Sequence, residues 1–244
     1  MRGLIFALLW IASPVAAVTC ADVDYKGNSY TTCEVDAVKE DLRLFLRDDA
    51  GEILGGFSAV DNSIPDETLV FAMNAGMYHD DRAPVGHYVE NGVEEMRIVP
   101  NAGPGNFGLL PNGVFCVNDG SAQVYETLSF IENAPACRDA TQSGPMLVIA
   151  GALHPRFLID STSRYVRNGV GTTADGARAI FAISNNAVTF HEFGSFFRDF
   201  LQTPDALYFD GKVSRLYAPD LRRSDFGFQL GPIVGVVEQI PDPE

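Results

Sequence analysis

Four short stretches carry side chains suited to a polar ligand, each beside glycine: Asn74-Ala75-Gly76-Met77-Tyr78, Gln142-Ser143-Gly144-Pro145, Arg167-Asn168-Gly169-Val170-Gly171, and Asp210-Gly211-Lys212-Val213-Ser214-Arg215-Leu216-Tyr217. An arginine offers a planar fork of donors that matches phosphate or carboxylate. An aspartate supplies a carboxylate. Asn, Gln and Ser bind hydroxyls, and glycine lets a ligand approach the backbone. Taken singly, each stretch reads as a turn. Asp210-Gly211 alone is a hairpin pair, and Arg167 alone is a surface ion pair in an acid-rich chain. Four together point to one pocket.

Other signatures fail. Gly103-Pro104-Gly105-Asn106-Phe107-Gly108 has dinucleotide-loop spacing, but a proline interrupts it and no helix pattern opens there. Gln142-Ser143-Gly144 lacks the glycine two residues before the serine that a nucleophile elbow needs. His79, His87, His154 and His191 show no metal-ligand spacing, and the cysteines contain no Cys-x-x-Cys pair. No cofactor and no metal is expected.

The elements that hold these residues read as short strands. Runs of β-branched and aromatic residues fall at 42–47, 69–73, 113–117, 146–149, 179–184, 206–209 and 233–237. Asn-Gly or Asp-Gly pairs at 91–92, 112–113, 119–120, 168–169, 175–176 and 210–211 suggest hairpin turns. The four polar stretches lie at the ends of these strands. One helix is expected over 192–202, where Phe193, Phe196, Phe197, Phe200 and Leu201 recur at helical spacing, Glu192 suits the first turn and Pro204 follows. The fold class is mixed α/β (α+β), a single domain with antiparallel-rich β-sheets and few helices.

The 244 residues carry 17 Lys+Arg against 32 Asp+Glu, a net charge of −15. That balance excludes nucleic acid, whose phosphates need clustered cations, and disfavours an anionic membrane surface. Arg2, the apolar run Leu4–Ala12 and the small-residue stretch Val15-Ala16-Ala17 match a signal peptide over 1–17. The run is too short to span a bilayer, so no transmembrane anchor is expected and the localisation is periplasmic or secreted. Cys20, Cys33, Cys116 and Cys137 allow three disulfide pairings. Cys20–Cys33 with Cys116–Cys137 is favoured because each joins neighbours along the chain. Lipid attachment at Cys20 is the alternative, disfavoured by Thr19. The rest divides into an N-terminal segment (18–39), a main domain (40–237) and a tail (238–244), with fraying expected over Ile240–Glu244.

The four stretches occur in this order in phosphodiester glycosidase domains, which the chain resembles over roughly residues 40–237, closest to the exported bacterial branch. The resemblance implies hydrolysis of a sugar-1-phosphodiester between the anomeric carbon and phosphate, on a small-molecule or glycan substrate carrying a sugar phosphate. It casts Asp210, Arg167 and Asn74 as catalytic. Gly76, Tyr78, Gln142, Ser143, Gly144, Asn168, Gly211 and Ser214 would bind substrate. Asp80, Asp160 and Glu192 are candidates for a second carboxylate, and Glu192 is better explained as a helix-start residue. Lys212 and Val213 replace the glycine run of the uncovering-enzyme branch, so the pocket is open to another substrate. A non-catalytic carbohydrate-binding module, or a hydrolase of another phosphodiester or cell-wall polymer, remains an alternative.

Overall fold

The computed structural model describes residues 18–241; the signal-peptide expectation lies outside the described residues. In chain order the elements are β1 (Thr19–Tyr25), β2 (Asn28–Asp36), β3 (Asp41–Phe45), α1 (Phe57–Ser63), β4 (Glu67–Asn74), β5 (Tyr88–Glu90), β6 (Val93–Met96), β7 (Gly113–Asn118), β8 (Ser121–Glu126), α2 (Thr127–Asn133) and β9 (Asp139–Ser143). There follow β10 (Met146–Ile149), β11 (Ala152–Leu153), β12 (Asn168–Thr172), β13 (Arg178–Ser184), α3 (Phe190–Ser195), β14 (Asp205–Asp210), β15 (Leu216–Ala218), β16 (Arg223–Ser224) and β17 (Ile233–Gln239). The chain is a single, β-rich α+β domain, as its strand runs predict. Within the N-terminal segment residues 28–36 form β2, its side chains alternating polar and apolar from Thr32 to Asp36. β17 runs to Gln239, past the residue where the tail was expected to start.

Three antiparallel sheets enclose the core. Their strand orders are β1-β2-β13-β12-β14-β10-β11, β16-β15-β4-β17-β3 and β6-β5-β9-β7-β8. One phenylalanine cluster joins all three. Phe181 of β13 packs 4.9 Å from Phe71 of β4 and 5.8 Å, edge-on, from Phe115 of β7, and Phe115 in turn meets Phe209 of β14. Each buried ring stabilises the fold by about 1.5–3 kcal/mol, and the tilted contacts suit the ring quadrupoles.

Both disulfides form as favoured. Cys20 and Cys33 face each other across the β1–β2 ladder, and Cys116 of β7 joins Cys137 just before β9.

The phenylalanine helix starts at a capping box, with Thr189 and Glu192 bonding each other's backbone N–H. It then widens over 196–200, where Leu201 N–H donates to the Phe196 carbonyl, five residues back. Phe193, Phe196 and Phe197 are buried against the outer face of the seven-stranded sheet. Phe200 is not: the wider turn rotates it off the 3.6-residue stripe, leaving it 46% exposed.

The Asn-Gly and Asp-Gly pairs divide. Pairs 91–92, 119–120 and 175–176 do connect adjacent antiparallel strands. Asn112 is buried ahead of β7, and Asn168-Gly169 lies inside β12, paired on both sides. Gly169 is there because a Cβ would overlap the Leu207 carbonyl of β14. Asp210-Gly211 ends β14 and leads into another sheet, so it is not a hairpin either.

Candidate active site

The ends of β4 and β14 and the start of β12 gather at one end of the molecule, beside a cavity of about 580 Å³. The geometry depends on a bulge. Asn168 pairs with Asp210 but Gly169 pairs with Tyr208, so Phe209 is an extra residue in β14. The bulge frees two backbone groups. Ser143 Oγ donates to the Phe209 carbonyl at 3.0 Å, and Asp210 N–H donates to Asn168 Oδ1 at 3.1 Å. Buried polar groups must find partners, and here two of the expected site residues supply them.

Asn74 and Asn168 form a fully buried amide pair between two sheets. Asn168 Nδ2 donates to the backbone and side-chain oxygens of Asn74, both at 3.0 Å. Asn74 Oδ1 also accepts from Arg215 N–H, and Ser214 Oγ lies within bonding distance of Asn168 Oδ1 and the Asp210 carbonyl. The three side chains therefore fix the backbone on which Asp210 stands.

Asp210 is half-buried at the cavity wall. Its Oδ1 accepts from Gly211 N–H and from Lys212 N–H at 2.9 Å. Among the described residues no donor reaches Oδ2. Gly211 carries no side chain because a Cβ would overlap the Tyr208 hydroxyl.

Arg167 is 1% exposed and makes no ion pair among the described residues. Its Nε donates to the Val188 carbonyl at 2.9 Å and Nη2 to the Ser163 carbonyl at 3.1 Å, while Nη1 has no partner. Aromatic rings surround it: the guanidinium carbon is 3.7 Å from the Phe190 centroid and 5.5 Å from those of Tyr165 and Tyr208. Burial pulls its pKa down and the Tyr208 hydroxyl partly restores it, but an arginine so placed stays charged. Burial likewise pushes Tyr208 well up, and it pushes Tyr78, which also feels the Asp210 charge, up to about 12.

Of the expected residues, Tyr78, Arg167, Asp210 and Gly211 line the cavity. Asn74, Asn168 and Ser214 brace it from behind. Gly76, Gln142, Ser143 and Gly144 are buried outside it. Gln142 is saturated: Oε1 accepts from His87 N–H and Val99 N–H, and Nε2 donates to the Val99 carbonyl and Thr127 Oγ1. Gly76 donates to Thr141 Oγ1, and Gly144 packs against Asn112 and Phe107. Asp80 lines the cavity; Asp160 does not, and Glu192 is spent on Thr189 and Arg164. Arg164 and Arg178 pair with Glu192 and Glu34, and Arg215 binds carbonyls, so none can replace Arg167.

Sequence reading missed Arg82, Asn106, Tyr165, Tyr208 and Phe228 at the cavity. Asn106 comes from the stretch whose glycine spacing mimics a dinucleotide loop. Arg82, Arg167 and Lys212 all line the cavity without an ion pair among the described residues, against Asp80 and Asp210 as its acids. In a chain of net charge −15 this is a local excess of positive charge. No cluster of three or more metal-ligating side chains occurs among the described residues.

A β-rich fold whose cavity is lined by a buried arginine and a strand-end carboxylate is the setting of a candidate hydrolase. The phosphodiester glycosidase family model matches residues 67–227, and the chain belongs to that family. Over 206 residues it is 33% identical to the uncharacterized protein YigE of Escherichia coli (strain K12), covering 83% of this chain and 79% of that protein. The catalytic domain of zebrafish N-acetylglucosamine-1-phosphodiester alpha-N-acetylglucosaminidase shares the fold, with a TM-score of 0.61 at 12% identity over 93% of this chain and 85% of that one. A hypothetical protein from Synechocystis does so with a TM-score of 0.62 at 13% identity, over 90% of this chain and 61% of that one.

Proposed function

We propose that the protein hydrolyses a sugar-1-phosphodiester at the bond between the anomeric carbon and the phosphate oxygen. The observation that carries this is Arg167: a buried guanidinium that, among the described residues, has no carboxylate partner and an unbonded Nη1, lining the same cavity as Asp210, whose Oδ2 accepts from no donor there. Arg167 Nη1 binds a non-bridging phosphate oxygen through a charge-assisted hydrogen bond. Asp210 Oδ2 stabilises the positive charge that develops at the anomeric carbon. The carbon–oxygen bond breaks with its electron pair leaving on the phosphate monoester, which is stable as an anion and needs little proton assistance. Water adds to the anomeric carbon, and its proton passes to a carboxylate. Asp80, the other acid lining the cavity, is the candidate acceptor.

Export to the periplasm or beyond is part of the same reading. Two disulfides suit an oxidising compartment, and the N-terminal residues have a leader's pattern.

The test is turnover of a panel of sugar-1-phosphodiesters by the wild type and Asp210→Asn. Release of free sugar and phosphate monoester by the wild type alone supports the reading. Saturable binding with no turnover would make the domain a binding module. Cleavage on the far side of phosphorus, releasing sugar-1-phosphate, would make it a different phosphodiesterase.

A further inference from the structure

Beside the cavity one short segment carries two strongly exposed phenylalanines. Phe226 is 94% exposed and Phe228 is 80% exposed, on either side of Gly227 in the segment between β16 and β17. Two free phenyl rings in one tripeptide are unfavourable unless something covers them.

The segment is held in this pose. Arg215 Nε and Nη2 both donate to the Asp225 carbonyl, at 3.1 and 2.7 Å, and Nη1 donates to the Phe228 carbonyl at 3.0 Å. One guanidinium thus pins the backbone before Phe226 and at Phe228. The Asp225 carboxylate is itself fixed by Leu216 N–H and by Arg223. The Gln229 carbonyl accepts from Tyr78 OH, which ties the far end to the cavity wall.

Phe228 lines the 580 Å³ cavity, and Phe226 lines a neighbouring cleft of about 240 Å³ floored by Phe57. Gln229 is common to both, so the two spaces adjoin across the segment. We infer that Phe226 and Phe228 form a subsite for an apolar chain on the leaving-group side of the phosphodiester, running from the phosphate at Arg167 past Phe228 into the Phe57–Phe226 cleft. This rests on the reading of Arg167 as the phosphate clamp. A phosphodiester has two arms. If the sugar sits against Asp210 inside, the second arm leaves through the mouth and meets these rings.

The chemistry of the segment favours an apolar chain over a second sugar. A sugar subsite needs polar groups around its stacking ring to read hydroxyls. Here the Arg215 guanidinium, the Asp225 carboxylate and the carbonyls of Asp225, Phe228 and Gln229 are already bonded within the protein. Of the segment's own side chains the two rings and the Gln229 amide are left without a partner among the described residues, with the Ser58 and Ser224 hydroxyls beside them in the smaller cleft, so the rings are its dominant free surface.

The experiment separates this inference from the hydrolase reading by measuring binding and turnover apart. Calorimetry compares methyl phosphate, octyl phosphate and a glycosyl phosphate with wild type and with the Phe226→Ser, Phe228→Ser double variant. Both rings are exposed, so the variant keeps its fold, checked by an unchanged Tm. Octyl phosphate should bind wild type roughly 10- to 100-fold tighter than methyl phosphate, the gain from covering a few methylenes. The variant should lose that gain and bind methyl phosphate as wild type does. Turnover of methyl and octyl esters of one sugar-1-phosphate should show the same pattern in kcat/KM. Equal binding of methyl and octyl phosphate by wild type overturns the inference whatever the activity, as does a glycosyl phosphate binding tighter than octyl phosphate. An octyl preference without hydrolysis of any sugar phosphodiester upholds the subsite and removes the hydrolase reading. Sedimentation of wild type with phosphatidylcholine vesicles, without an octyl preference, would assign the rings to a membrane surface and overturn the chain subsite.

Discussion

Arg167 lies over the ring of Phe190, its guanidinium carbon 3.7 Å from the ring centroid. Phe190 stacks in turn on Phe157 at 5.0 Å, and Phe157 on His154 at 4.8 Å. Phe190 also meets Tyr208 edge-on. A carboxylate in this place would orient the arginine but cancel its charge. An aromatic face orients it and leaves the charge for a ligand. Phe190→Leu keeps apolar bulk and loses the planar face. It should weaken competition by inorganic phosphate roughly 2- to 30-fold, the range for about 0.5–2 kcal/mol of cation–π attraction. Phe190→Tyr should restore it. A Leu variant that binds phosphate like wild type would remove Phe190 from the positioning of Arg167.

Arg167→Lys tests the clamp itself. A lysine is a point charge and cannot serve Val188, Ser163 and a ligand in one plane. The structure adds a cost that a surface arginine would not carry. Because Arg167 is buried and holds two carbonyls, the variant should lose about 1–3 kcal/mol of stability. Turnover should fall about 10- to 100-fold beyond any loss of folded protein. Thermal scans with phosphate separate the two effects. Phosphate should raise the Tm of wild type and barely move that of the variant, because only ligand bound to the folded state stabilises it.

Asp210→Asn should abolish turnover with little effect on Tm. The amide oxygen can still accept from Gly211 and Lys212, so the turn survives. What is lost is the negative charge facing the cavity. Substantial activity in the variant would move the catalytic carboxylate elsewhere, with Asp80 next in line.

Much of this fold is legible in the sequence because strand runs and a phenylalanine stripe are local signals. Where reading fails, the deciding partner is distant. An Asn-Gly pair has the same local chemistry in a hairpin and at Asn168-Gly169; only the bulged β14 beside it makes it a strand. Phe200 fits the helical period, but the wider turn at 196–200 is not encoded in spacing. Asn74, Asn168 and Ser214 lie behind the cavity, where they serve its backbone rather than its contents. Arg167 is placed by residues 21, 23 and 41 positions away, Val188, Phe190 and Tyr208, which no motif around it reveals.

Gln142 separates support from substrate binding. All four hydrogen bonds of its side chain are internal, and it joins β9 to the backbone at His87 and Val99. Gln142→Ala strands buried partners and should cost about 2–4 kcal/mol, at 1–3 kcal/mol for each group left unsatisfied and with partial relaxation. KM for any substrate should be unchanged in the protein that remains folded. A selective rise in KM without loss of Tm would return Gln142 to the substrate.

Glu90 gives the protein a pH dependence opposite to that of an ordinary paired carboxylate. Burial lifts its pKa to about 7, while the Tyr88 hydroxyl, bonded at 2.5 Å, only partly lowers it. In the unfolded chain a glutamate titrates near 4.3. Between those values the folded state holds the extra proton. The contribution of this group is therefore fully present below the unfolded pKa and is lost as pH rises through about 7. Glu90→Gln keeps the shape and can still accept from Tyr88, without a charge to desolvate. Its Tm should exceed that of wild type at pH 8, the gap should narrow at pH 5, and it should close only below the unfolded pKa. The buried histidines His87 and His154 cannot mimic this, because burial lowers their pKa and their contribution is lost as pH falls, not as it rises. A gap between Glu90→Gln and wild type that is the same at both pH values would show that Glu90 is ionised in the folded protein throughout.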